Sequence, residues 1–135
     1  MNSINPLLLL TPKTELVCFT DDMNVRQAIE KMRAHGYMAI PVITKQGEYV
    51  GTVTEGDLLW RLVEEDADIE ELENINIKEI IRKEYTPAVK VDASEEELLN
   101  MITAQNFVPV VDDRNILMGI VTRKRAIRAI LDNEA

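Results

Sequence analysis

Residues 41–54 read PVITKQGEYVGTVT and residues 109–122 read PVVDDRNILMGIVT. The two stretches align without a gap at an offset of 68. Pro, Val, Gly, Val and Thr are identical at five of the fourteen positions, and both copies place Gly ten residues after Pro. The apolar positions match as well. A match of this length marks an internal duplication, so the chain is expected to fold as two copies of one unit.

Working outward, each half shows the same order of elements. In the first, Leu16–Phe19 reads as a strand, and Asp21 or Asp22 can cap a helix whose apolar residues Val25, Ala28, Ile29 and Met32 share one face. Gly36 can end that helix. Ile40–Ile43 and Tyr49–Val53 read as strands joined by a turn at Gln46-Gly47. A second helix follows Thr54, with Leu58, Leu59, Leu62 and Val63 at helical spacing. In the second half Ala88–Val91 is the strand, and Ser94 with Glu97 forms a capping box ahead of Leu98, Leu99 and Ile102. Val108–Val111 and Ile116–Val121 are the next strands, and a last helix carries Ala126, Ile127, Ile130 and Leu131.

Between the halves, residues 64–73 read EEDADIEELE, seven acids in ten, taken as a solvated helix extension and linker in preference to a docking surface. Ile75, Ile77, Ile80 and Ile81 then return to the core as a short connecting helix. The expected domains are a first repeat over 8–65, a linker and connecting helix over 66–81, and a second repeat over 82–133. One repeat alone buries too little surface to be stable, so the two pack together. The expected class is α+β, with two pseudo-twofold-related β-α-β-β-α repeats packed into one module.

Composition bounds the function. The 135 residues are 46% hydrophobic but only 4% aromatic, so the core is mostly aliphatic. The net charge of −9 repels nucleic-acid phosphates and anionic membrane surfaces, so neither is an expected partner. Cys18 is the one cysteine, which rules out an intramolecular disulfide and fits a reducing compartment. The N-terminal apolar run Leu7–Leu10 is too short for a signal peptide or a membrane span. A cytoplasmic location is expected.

The sharpest local feature is GTVTEGD, residues 51–57. Here a strand passes into a helix, whose N-terminal N–H groups and dipole attract anions. The Thr54 hydroxyl can donate to a phosphate oxygen, and Asp57, one turn on, can accept from both hydroxyls of a ribose. The same T-x-x-D spacing is also a helix capping box, with no ligand involved. The second copy, GIVTRKR over 119–125, keeps Gly119 and Thr122 but has Arg125 in place of Asp57. It gathers Arg123, Lys124, Arg125 and Arg128 within six positions. In an acidic chain this cluster reads either as a phosphate site or as solubilising charge paired with the acidic segment.

With these residues in view, the chain resembles a tandem CBS domain pair, or Bateman module, of the stand-alone bacterial type. The resemblance runs from about Leu10 to Leu131. It rests on IPV…GTVTEGD, on VPV…GIVT, and on GYMAIPV (36–42) and QNFVPVV (105–111). It implies a regulatory module that binds AMP, ADP, ATP or a related adenosyl ligand, each site being built from both repeats. Carried over, one site joins Thr54 and Asp57 to Thr86, Pro87, Ala88, Asn106, Phe107 and Val108. The other joins Thr122, Arg123 and Lys124 to Val17, Cys18, Tyr37, Met38, Ala39 and Ile40. Small CBS proteins that sense cyclic di-AMP are similar in the Gly-Tyr-x-Ala-Ile-Pro-Val run and the Thr-Arg-basic run. A cyclic dinucleotide is therefore the second candidate ligand.

The remaining residues read as structural. Cys18 is a packing cysteine, because the lone His35 sits at the far end of the next helix. Trp60 is expected to be partly buried. Met32, Met38, Met101 and Met118 are core or pocket filler. The sequence holds no catalytic Cys/His or Ser/His/Asp spacing, no P-loop and no zinc cluster, so no catalytic residue, metal or catalytic cofactor is expected. A protein-interaction module with vestigial pockets is the third reading. The resemblance further implies a homodimer formed through the helix that starts near Leu58, and a separate, unidentified protein target.

Overall fold

The computed structural model describes residues 5–36, 39–66, 68–81 and 86–134. The chain runs α1 (Pro6–Leu9), β1 (Thr11–Pro12), β2 (Phe19–Thr20), α2 (Val25–His35), β3 (Ala39–Ile43), β4 (Tyr49–Thr54), α3 (Glu55–Glu65), α4 (Ile69–Leu72), β5 (Val89–Lys90), α5 (Glu95–Ala104), β6 (Phe107–Val111), β7 (Leu117–Thr122) and α6 (Arg123–Glu134). The β-α-β-β-α order occurs twice, and the class is α+β.

Two compact units form: one from residues 17–83, the other from 1–16 with 84–135. In the first, β2 lies parallel to β3 and β3 antiparallel to β4. In the second, β5 lies parallel to β6, β6 antiparallel to β7, and β1 adds antiparallel to β7. The two antiparallel pairs share one register: Ile40 opposes Val53 as Val108 opposes Val121, and both slip by one residue just before Ile43 and Val111. Matched apolar positions have thus produced matched pleats.

Each unit has its own core, mostly aliphatic. The first packs Phe19, Val25, Ile40, Val42, Val53 and Ile77. The second packs Val89, Leu98, Val108, Val110 and Val121 with Leu9. Burial of side chains of this size, worth about 1.5–3 kcal/mol each, is the main stabilising term in both.

The unit and the sequence repeat do not coincide. Leu9 fills the core of the second unit, and Thr11 and Pro12 pair with Ile120 and Gly119 of β7. Ile77 and Ile80 fill the core of the first unit. The segment leading into each half therefore packs with the other half's strands. This explains the Gly in both copies of the motif. A Cβ on Gly119 would drive into the carbonyl oxygen of Thr11, and one on Gly51 into Cγ2 of Ile81.

The local expectations need several corrections. Helix α2 is capped by Asn24, not by Asp21 or Asp22. Asn24 Oδ1 accepts the Gln27 N–H at 2.9 Å and Gln27 Oε1 accepts the Asn24 N–H at 3.0 Å. The helix starts late because Met23 is pulled into the core and its carbonyl accepts the Ile77 N–H at 2.9 Å. Gly36 ends α2 at φ 69°, as the sequence indicated. Strands β2 and β5 are two residues long, not four. Ser94 caps α5 through the Glu97 N–H at 3.1 Å. The acidic stretch is not solely solvated: Leu72 is buried in the core of its unit, and Glu73 pairs with Arg26. The connecting segment forms a 3-10 turn over Ile77–Glu79.

Candidate functional site: two equivalent corners

Thr54 ends β4 and caps α3. Its Oγ1 accepts the Asp57 N–H at 3.1 Å, and Asp57 Oδ2 accepts the Thr54 N–H at 3.2 Å. The capping box is therefore formed, and it holds a buried carboxylate at the mouth of a cleft. That cleft, about 310 Å³, is lined by Asp57, Trp60, Arg61, Glu64, Glu79 and Ile80. Arg61 faces Glu79 at 3.5 Å.

Thr122 ends β7 at the equivalent corner, where its Oγ1 accepts the Arg125 N–H at 3.2 Å. The reciprocal bond has no counterpart, since arginine carries no acceptor. A cleft of about 580 Å³ opens there, lined by Leu9, Thr11, Thr122, Lys124, Arg125, Arg128, Ala129 and Asp132. The offset of 68 carries Asp57, Trp60, Arg61 and Glu64 onto Arg125, Arg128, Ala129 and Asp132, and Glu79 back onto Thr11. The two clefts are one cleft duplicated, with its charge reversed. The first holds three carboxylates against one arginine, the second three cations against one carboxylate.

Other expected site residues fall in different places. Arg123 turns away from the basic cleft. Its Nε donates to the Ile102 carbonyl at 3.0 Å and its second guanidinium nitrogen to Thr103 at 3.4 Å, so it closes the end of α5. Val108 and Ile40 are core residues at 0% and 1% exposure, because the pleat turns them inward. Val17 packs against the core of its unit. Cys18, Ala39, Thr86, Ala88 and Phe107 are half-buried, and Pro87 and Asn106 are exposed. The Asn106 carbonyl accepts the Arg123 N–H at 2.9 Å. Tyr37 and Met38 lie outside the described residues. Trp60 is 61% exposed, not partly buried, and Met118 is also exposed, since both sit on outward positions.

Sequence reasoning missed Gln105. Its buried amide donates to the Pro87 and Phe107 carbonyls at 3.1 and 3.0 Å and so ties together two stretches expected to hold a base. It also missed the cleft walls at Leu9, Thr11, Glu79 and Ile80. Among the described residues no group of His, Cys, Asp and Glu could hold a metal ion, and no helix is long and apolar enough to cross a membrane.

Similarity to known proteins bears on these corners. An inosine-5'-monophosphate dehydrogenase of Methanocaldococcus jannaschii is 27% identical over 116 residues, 84% of this chain and 21% of the enzyme. The chain thus spans about a fifth of that relative's length. A crystal structure of CbpB in complex with c-di-AMP is 26% identical, with a TM-score of 0.87 over 96% of this chain and 85% of the other. A crystal structure of CBSX2 in complex with AMP is 25% identical, with a TM-score of 0.75 over 94% and 96%. The CBS domain model matches residues 9–64 and 77–132, and the chain belongs to the CBS domain family as a tandem pair.

Proposed function

We propose that this CBS pair is a regulatory module that binds an adenine nucleotide and acts on a separate protein, and that it is not an enzyme. The observation that carries the reading is the basic cleft at the Thr122 corner. A chain of net charge −9 collects Lys124, Arg125 and Arg128 around a helix N-terminus, where phosphate is favoured. Asp57 at the sister corner supplies the carboxylate that suits a ribose diol. The site residues set out from the sequence belong to this proposal, with Arg125 and Arg128 added and Arg123 moved to a supporting role.

A specific observation favours a cyclic dinucleotide at the basic corner. In cyclic di-AMP the 3′-oxygens are esterified, so no ribose presents a vicinal diol for a carboxylate to clamp. Arg125 in place of the carboxylate fits such a phosphodiester, and the similar CbpB structure is described with c-di-AMP. The CBSX2 structure, described with AMP, supports a mononucleotide at the Asp57 corner.

A thermal-shift panel of AMP, ADP, ATP, S-adenosylmethionine and cyclic di-AMP tests the reading. A bound ligand at ~100 times its Kd stabilises by about 2.7 kcal/mol. The absence of any shift leaves an interaction module with vestigial pockets. Incubation with ATP followed by chromatography tests the non-enzyme reading, and any new product would sink it. The net charge argues against nucleic acid and anionic membrane as partners, and the lone Cys18 supports the cytoplasm. The proposed oligomer is a homodimer formed through the exposed face of α3.

A further inference from the structure

We propose that Gln105 sets the choice of purine: its amide is locked so that Oε1 accepts from the 6-amino group of adenine and separates AMP from 6-oxopurine nucleotides. This rests on the nucleotide reading above, with the base against residues 86–88 and 106–108, and it names the group that discriminates there.

The orientation of the amide follows from its neighbours. Gln105 stands at the end of α5 in extended backbone, φ −140° and ψ 150°, and is only 9% exposed. Its backbone N–H donates to the Met101 carbonyl at 3.2 Å. In the side chain, Nε2 donates to the Pro87 carbonyl at 3.1 Å and to the Phe107 carbonyl at 3.0 Å. A carbonyl only accepts, so the nitrogen must face both and the amide cannot flip. Both of its N–H groups are then engaged, and Oε1 is the atom left over.

Oε1 accepts no hydrogen bond from the described residues, and it is not among the atoms sealed in the core. An acceptor on a buried side chain calls for a donor. Because Oε1 and Nε2 share one amide carbon, Oε1 lies beside the same two stretches. Those stretches are open: Thr86, Ala88 and Phe107 are half-buried, and Pro87 and Asn106 are exposed. Adenine carries an N–H donor at its 6-position, whereas hypoxanthine and guanine carry a carbonyl there. A 6-oxopurine would therefore set acceptor against acceptor. Sites that leave a buried polar group unpaired with the wrong ligand discriminate far better than sites that differ in apolar contact. The offset of 68 carries Gln105 back onto Tyr37, which has no amide, so the device belongs to one base stretch and not to its sister.

Calorimetry with AMP, IMP and purine riboside 5′-monophosphate, which has no 6-substituent, tests this. The parent is expected to bind AMP about tenfold tighter than the unsubstituted purine, the worth of one hydrogen bond, and IMP more weakly still. Gln105→Met, similar in length and without the amide, is expected to bind the three with no preference. A parent that binds all three alike overturns the role of Gln105 and leaves the nucleotide reading standing. A Met variant that weakens all three equally, keeping the parent's preference, makes Gln105 a structural tie alone and also overturns it. A parent that binds no AMP overturns it at once, and the other arms of the thermal-shift panel then decide the nucleotide reading separately. A crystal structure of the parent with AMP gives a measurement free of any variant: the adenine 6-amino nitrogen is expected within hydrogen-bond distance of Gln105 Oε1, and its placement elsewhere overturns the proposal.

Discussion

Thr54 and Asp57 exchange two hydrogen bonds, at 3.1 and 3.2 Å, where the equivalent Thr122 and Arg125 share one, at 3.2 Å. One corner has kept its carboxylate inside a complete capping box, and the other has traded it for a cation facing a basic cleft. Cap and ligand site thus use the same atoms at the first corner, and a charge-neutral variant separates them. Asp57→Asn retains an oxygen for the Thr54 N–H, whereas Asp57→Ala does not. The Ala variant is expected to lose about 0.5–2 kcal/mol of stability, the range for a lost cap, and the Asn variant much less. Both are expected to weaken AMP binding by about 1.5–3 kcal/mol, as for bonds to charged groups. Calorimetry showing parent-like affinity in Asp57→Asn would reduce Asp57 to a cap.

At the second corner the cations divide between two roles. Arg125 and Arg128 line the basic cleft, while Arg123 is spent on the Ile102 and Thr103 carbonyls. Arg125→Ala and Arg128→Ala are expected to lower the affinity for cyclic di-AMP and to flatten its salt dependence, since each removes a screened attraction. Arg123→Ala is expected to cost about 1.5–3 kcal/mol of stability, the range for hydrogen bonds to a charged group, and to leave the salt slope unchanged. Titration at two salt concentrations with a urea melt for each variant checks both. An equal salt slope in all three variants would mean that the cleft does not hold the phosphates.

The two motif glycines are required for the same reason but are not equally replaceable. Gly119 faces the backbone carbonyl of Thr11, which β1 pairing holds in place, whereas Gly51 faces Cγ2 of Ile81, the branch of a side chain. Gly119→Ala is expected to destabilise by more than the roughly 1–3 kcal/mol typical of overpacking, and Gly51→Ala by an amount within it. Ile81→Ala in the Gly51→Ala chain should recover part of that loss, which a double-mutant cycle in urea would read. Equal effects at the two sites with no recovery would mean that the leading segments move freely over both strands.

Much of this was legible because the chain repeats itself. The offset of 68 placed both Thr corners and both strand pairs, since period-two burial leaves one register for β3–β4 and β6–β7. The walls of the clefts were not legible. Leu9 and Thr11, or Glu79 and Ile80, reach their corners because the leading segment packs with the other half's strands, and no local pattern encodes that exchange. Sequence spacing gives the position of Arg123 but not its side-chain direction, which is toward the Ile102 and Thr103 carbonyls at the end of α5. Val108 and Ile40 turn inward, as the alternation along their strands indicates.

Tyr49 gives the fold a titration that its counterpart Leu117 cannot have. Its phenol lies 2.8 Å from Thr52 Oγ1. Burial disfavours the phenolate more than this hydrogen bond favours it, and the group is pushed from its ordinary 10.0 up to about 12. Because the folded value lies above the unfolded one, the stabilisation is fully present below about pH 10 and is lost as pH rises toward about 12. Tyr49→Phe keeps the ring and removes the ionisation, so the stability difference between parent and variant should be constant up to about pH 9 and then shift against the parent. Urea midpoints at matched alkaline pH measure this directly, because every other ionisable group is the same in both chains. A difference that stays flat to about pH 11.5 would place the Tyr49 hydroxyl in water rather than against Thr52.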